Sequence, residues 1–226
     1  MEAVPLDRLV KGDAGALHDR PIEPVARVEI LEIERPAIVL GSTQSFDIVD
    51  GVRAEESGFA VVRRRSGGGV VILRPGDHAW IDVTVPRGHA LWRDDVERAT
   101  WWLGEAWCDA LQETLDSPSG GAGGATRWSV HKDKLVASAP QRTVCFASVG
   151  PGEVLLGGKK VVGISQRRTK DAARFQCTVF REIDVRLYER MLHVEVAGSL
   201  RDAVGVGDAL DDVRELAVER LNAALG

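Results

Sequence analysis

Between Asp94 and Leu115 the apolar residues change their spacing, and that change limits what the chain can fold into. Val96, Ala99, Leu103, Ala106, Ala110 and Leu111 recur at intervals of three and four, the period of a helix buried along one face, with Asp94 or Asp95 placed to cap it. Trp101, Trp102 and Trp107 fall on the same helix as packing residues. Before it, the pattern is short and strand-like. Ile22–Glu34 alternates at a period near two, and Ala37–Leu40, Phe59–Arg63, Val70–Leu73 and Ala79–Val85 are apolar runs broken by Gly and Pro signals. Asp47–Gly58 carries a modest helical period. After the helix, Ser117–Thr126 reads as a Gly- and Ser-rich loop; Val144–Phe146, Glu153–Leu156, Lys160–Ser165 and Phe175–Val185 read as strands. Tyr188–His193 and Asp211–Leu225 read as helices, the latter with Val213, Leu216, Ala217, Leu221 and Ala224 on its apolar face. This order predicts an α+β fold, a mixed or antiparallel sheet with helices packed on one side.

Charge and cysteine content exclude several classes. A net charge of −5 argues against general nucleic-acid binding, which needs a basic surface. No stretch approaches the roughly 20 apolar residues of a membrane-spanning helix, and Met1–Val10 lacks the basic and apolar regions of a signal peptide. Three cysteines, an odd number, point to free thiols in a reducing compartment, so a cytoplasmic location is expected. Cys and His show no metal-ligand spacing, so no metal site is expected. The 226 residues suffice for one substantial domain.

Two local motifs carry chemistry. Arg63-Arg64-Arg65-Ser66-Gly67-Gly68-Gly69 lies between two expected strands. Three glycines let a ligand approach the backbone and turn amide N–H groups toward it, while guanidinium groups beside them suit phosphate or carboxylate oxygens. Downstream, Gly157-Gly158-Lys159-Lys160-Val161-Val162-Gly163 turns the chain into a strand that opens on two lysines. In a regular strand Lys160 shares a face with Val162 and Ile164 and points inward, with Lys159 outward. A buried inward lysine without a ligand is costly, which favours a functional role for Lys160 over that of a surface lysine.

Together these motifs resemble the lipoate–protein ligase family, in the superfamily that also holds biotin ligases and octanoyltransferases. The likeness rests on Arg63-Arg64-Arg65-Ser66-Gly67-Gly68-Gly69, on Lys160-Val161-Val162-Gly163, and on the upstream run Pro36–Leu40 followed by Gly41 and Gln44; it spans about Val25 to Asp184. Leu73-Arg74 stand where the family often has His-Asp, Ser42 where it has arginine, and Gln176 where it has histidine. The resemblance implies a two-step reaction: lipoate or octanoate and ATP (with Mg2+) give an acyl-adenylate, and a lysine of an acceptor lipoyl domain then displaces AMP. It further implies that Arg63, Arg64, Ser66, Gly67, Gly68, Gly69 and Gly163 hold the adenylate and that Lys160 holds its phosphate and carbonyl oxygens. Val70, Ile72 and Val162 are expected in the wall of an acyl tunnel, where each buried CH2 contributes about 0.8 kcal/mol. Residues 1–226 are expected to form one catalytic domain with no C-terminal accessory domain, a role that a separate accessory chain could fill.

Cys145 opens a second reading. It precedes Phe146 and stands fifteen residues before Lys160, as in a related octanoyltransferase and amidotransferase branch where such a cysteine forms an acyl thioester. A thiol near an ammonium group is a better nucleophile, although a buried cysteine also serves as a small hydrophobe. Three hypotheses therefore stay open: an ATP-dependent ligase, a Cys145 transferase fed by acyl carrier protein, and a homologue that binds without turnover.

Overall fold

The computed structural model describes residues 7–116, 128–136, 143–196, 198, 200 and 203–226. The expected loop at Ser117–Thr126 lies outside the described residues. The main sheet has seven strands in the order β1 (Asp7–Gly12), β2 (Arg27–Ile33), β6 (His78–Pro86), β10 (Ala172–Phe180), β9 (Lys159–Arg168), β8 (Val154–Leu156) and β7 (Trp128–Val130). Among the described residues of this sheet, β1 and β2 are the pair of strands that run parallel. A smaller sheet sets β3 (Ala37–Leu40) between β4 (Ala60–Arg63), parallel, and β5 (Val71–Leu73), antiparallel. The sheet is thus mixed, as the sequence implies.

Side-chain alternation along two central strands divides the molecule into layers. Ala79, Ile81, Val83 and Val85 of β6, with Ala173, Phe175, Cys177 and Val179 of β10, face a core built with α3 (Trp101–Leu115) and α5 (Leu210–Leu225). The intervening residues Trp80, Asp82, Gln176 and Phe180 face the other way. There the small sheet packs with three short helices, α1 (Ala14–Asp19), α2 (Gly51–Glu56) and α4 (Val185–Met191). The expectation of helices on one side holds for the two long helices only. The opposite face is covered too, and it carries the site.

Several boundaries move for local reasons. Neither Asp94 nor Asp95 is the N-cap: Asp95 accepts backbone N–H bonds from Glu97 and Arg98 at 2.9 and 3.0 Å, but the 3-10 turn at Arg98–Thr100 starts from Glu97 and the α-helix proper begins at Trp101 after Thr100. Val96 therefore lies before the buried stripe and is exposed. The strand expected to reach Val185 stops at Phe180, and Asp184 caps α4 through the Leu187 N–H. Val144–Phe146 is not a strand. Val144 makes a single parallel bridge to Val70, after which Cys145–Ala147 winds into a 3-10 turn.

Candidate functional site

The glycine segment follows β4 and folds back on itself around Arg64. Arg64 is 4% exposed, and its guanidinium donates to the carbonyls of Gly67 at 2.9 Å and Gly69 at 2.8 Å. Gly68 adopts φ +97°, open to glycine at little cost. Gly69 lies so close to the next segment that a Cβ there would sit 2.5 Å from the Val144 carbonyl carbon and 2.6 Å from the Cys145 nitrogen. That approach lets Val70 N–H donate to Thr143 and Cys145 N–H donate to Val70. Gln44 ties the same corner down: its Oε1 accepts from Gly41 N–H at 2.9 Å and its Nε2 donates to the Thr143 carbonyl at 2.8 Å.

Lys160 enters from β9, 1% exposed. Its ammonium group is 2.7 Å from Glu153 Oε1 and donates to the carbonyls of Cys145 and Ser148, each at 3.0 Å. Those carbonyls converge because the Cys145–Ala147 turn is helical rather than extended. Glu153 is held in turn by the N–H groups of Gly150 at 2.7 Å and Ile164 at 3.0 Å. The Lys160 ammonium also lies 5.0 Å from the centre of the Phe146 ring, and that ring is where a Cβ on Gly163 would meet its first contacts, at 3.1 Å. Lys159 is exposed, in line with the inward and outward assignment.

These two elements meet. Gly67, Gly68, Cys145, Glu153 and Lys160 line one cavity of about 290 Å³. A narrower recess of about 40 Å³ adjoins it, walled by Val71, Leu73, Trp80 and Phe146 and closed by His18 and Gln176. Cys145, Ile164 and Ser165 line both, so the spaces are neighbours with the thiol at their junction. Ser66, 5% exposed, places its Oγ 3.3 Å from Ser165 Oγ beside that junction.

Other expected residues fall elsewhere. Arg63 is exposed and stacks its guanidinium 4.4 Å from the centre of the Phe46 ring, away from both spaces. Gly69 packs against backbone rather than opening to the cavity. Of the expected tunnel wall, Val70 and Ile72 are one residue out of step: Val71 and Leu73 line the recess, while Ile72 lines a separate hollow beside Tyr188. Val162 turns to the core under α3 and α5, because a bulge in β9 opposes Leu155 to Lys160 but Val154 to Val162. With that extra residue, Lys160 and Val162 do not share a face.

Sequence reasoning missed Glu153 and His18, which line the two spaces, and Asp82, which backs Gln176; Gln176 was legible only as standing where the family has a histidine. Glu153 had one available signal, a lone acid after the turn residues Gly150-Pro151-Gly152. His18 had none, since α1 is a six-residue helix without a clear period. Cys108 and Cys177 are buried, and burial pushes the Cys177 thiol up to about 12, consistent with structural roles. Among the described residues no group of three or more His, Cys, Asp or Glu side chains could hold a metal ion, and no helix is long and apolar enough to cross a membrane.

The architecture is that of the lipoate and biotin ligase catalytic domain. Lipoate-protein ligase A bound with ATP superposes with a TM-score of 0.69 at 15% identity, over 97% of this chain and 84% of that one. The T. acidophilum protein Ta0514 with bound lipoic acid gives 0.67 at 15% identity, over 94% and 78%. A bi-partite lipoate protein ligase with its E2 lipoyl domain, from Thermoplasma acidophilum, gives 0.67 at 16%, over 97% and 83%. No curated protein matches the chain. The lipoyl protein ligase A/B catalytic domain family matches residues 16–223, and the chain belongs to that family.

Proposed function

We propose that this protein is a lipoate–protein ligase, which activates lipoate or octanoate with ATP and transfers the acyl group to a lysine of a lipoyl-domain acceptor. The supporting observation is the convergence of the Gly67-Gly68 backbone and the Lys160 ammonium on one cavity that adjoins an apolar recess. In this reading the hydrocarbon tail enters the recess, and its carboxylate rests near Cys145 and Lys160. The carboxylate oxygen attacks the α-phosphorus of ATP; the P–O bond to the departing pyrophosphate breaks, and Mg2+ arrives with the nucleotide. The acceptor amine, having lost a proton, then attacks the acyl carbonyl, and AMP leaves. Lys160 stabilises negative charge on the acyl and phosphoryl oxygens by exchanging one of its two carbonyl partners for the substrate, while Glu153 keeps it in place. The neighbours with bound ATP, with bound lipoic acid and with an E2 lipoyl domain agree with this assignment of substrates and acceptor. The test is pyrophosphate release by the purified protein: release from ATP only when lipoate or octanoate is present supports the ligase, and none with either acid refutes it.

A second reading draws on the position of Cys145, which is half-buried at the junction of recess and cavity. There its thiolate could attack an acyl thioester on a carrier protein and release the carrier thiol. Intact mass after incubation with octanoyl carrier protein separates the two: an octanoyl adduct on Cys145 supports the transferase, and an unmodified thiol excludes it.

A further inference from the structure

The recess is apolar along its walls, and nearly every polar group that lines it is already committed. Arg64 donates to the Gly67 and Gly69 carbonyls, and Ser165 faces Ser66 at the mouth. Gln176 and Asp82 stand opposite each other across β10 and β6. A carboxylate only accepts hydrogen bonds, so the Gln176 amide turns Nε2 toward Asp82 Oδ1 at 3.2 Å, and its Oε1 is left to face His18 Nδ1 at 3.2 Å. Burial pushes the Asp82 carboxyl up to about 6, which still leaves it ionised at neutral pH. Burial, reinforced by Arg64, pushes the His18 imidazole down to about 3, so the ring stays neutral. Its other nitrogen, Nε2, is wholly buried and out of reach of a ligand.

Thr178 is the exception. It lines the recess from β10, opposite Trp80 on one side and Gly163 on the other. Gly163 brings no side chain across, and Thr178 is half-buried where every other residue of its strand is buried. That exposure belongs to the recess, because β10 is a central strand packed on both faces. The hydroxyl has no hydrogen-bond partner among the described residues, yet it is not one of the wholly buried unpaired atoms, so its oxygen opens on the space. From Ser165 at the mouth, Thr178 lies one strand across and two residues along, about 8 Å into the recess.

A carbon tail displaces water from that hydroxyl and returns no partner, which costs binding energy. A sulfur atom in the far half of the tail is a weak acceptor and recovers part of that cost. We propose that Thr178 is the residue by which the recess tells a sulfur-bearing ring from an all-carbon tail, its hydroxyl donating to a sulfur of the dithiolane ring of lipoate. The inference rests on the acyl-carboxylate reading above and separates the two acids that reading leaves open. Thr178 is a specificity residue and takes no part in the bond-making steps.

Calorimetric titration of the full chain with lipoate and with its carbocyclic analogue, a cyclopentane ring in place of the dithiolane, tests it. Lipoate binds the native protein about fivefold tighter. Thr178→Val, equal in shape but without the hydroxyl, removes that preference, and Thr178→Ser keeps it. An undiminished preference in Thr178→Val overturns the inference, since sulfur contacts with the Trp80 and Phe146 rings then account for it. Native protein that binds the two acids equally, or the carbon ring more tightly, also overturns it and leaves the carboxylate reading standing. Binding of neither acid overturns that reading, and the inference with it. If Thr178→Val fails to fold, Thr178→Ala takes its place under the same criterion.

Discussion

Lys160 and Glu153 form an ion pair 1% and 5% exposed at 2.7 Å, and each is woven into backbone hydrogen bonds. Replacing Glu153 by Gln removes the counter-charge and leaves the ammonium group buried among neutral oxygens alone, at an expected cost of about 3–5 kcal/mol. Lys160→Met leaves the carboxylate with the Gly150 and Ile164 N–H groups and costs a similar amount. With both changes no buried charge remains, and an apolar side chain of similar volume fills the space. The double variant should therefore lose much less than the sum, with a coupling energy of at least about 2 kcal/mol. Urea denaturation of the four proteins, compared at a common m-value, measures it. Lys132 and Glu105 supply the control, since their pair is also 2.7 Å long but about half exposed, and its coupling should stay below about 1 kcal/mol. If losses at Lys160 and Glu153 add to within about 0.5 kcal/mol, the buried pair does not hold the site together and the reasoning fails.

Three shorter predictions accompany it. Gly69→Ala should destabilise the fold by several kcal/mol or displace the Val144–Cys145 backbone, whereas Gly67→Ala, which meets nothing within 4 Å, should leave the melting temperature unchanged within about 2 °C and weaken adenylate binding; thermal melts with nucleotide titration separate the two. Lys160→Ala should slow acyl transfer by about a hundredfold, and Lys159→Ala by less than about twofold; equal losses would contradict the burial of one and exposure of the other. The folded-state depression of His18 means its contribution to stability is complete above 6.5 and is lost as pH falls toward about 3, while Asp82, raised to about 6, contributes below 3.8 and loses its contribution as pH rises through 6. The two oppose each other in the native protein, so His18→Phe should gain on it by about 3 kcal/mol between pH 6.5 and 4, read from paired denaturation curves.

The layers of the fold were legible because strands report their faces. The alternation through Ala79–Val85 and the three- and four-residue spacing of Leu103, Ala106, Ala110 and Leu111 follow from side-chain geometry alone. The glycine loop and Lys160 were legible as well, since glycine and a lysine next to apolar residues are unusual choices unless space or charge is needed. What failed was register. A single extra residue in β9 turned Val162 away from Lys160, and a one-residue offset in β5 exchanged Val70 and Ile72 for Val71 and Leu73 in the recess. Local pattern carries no record of a bulge, because the partner strand decides it. The same holds for Val144–Phe146, whose β-favouring residues were overridden by the demand for carbonyls around an ammonium group. Asp7–Gly12, an edge strand with two apolar residues in six, and Trp128–Val130, an edge strand of only three residues, gave no clear sequence signal.

That overridden segment also explains how the two motifs act as one site. Val144 and Cys145 touch Gly69 on one side through backbone contacts that only glycine permits. On the other side the Cys145 and Ser148 carbonyls hold Lys160, and the Cys145 side chain opens to both spaces between them. The loop and the lysine, about ninety residues apart in sequence, are therefore set by one short turn rather than by contact with each other. A change that moves this turn shifts the lysine's partners and the loop's backing together. Positional precision at the site thus depends on Gly69 as much as on Lys160, although no side chain at position 69 faces the cavity.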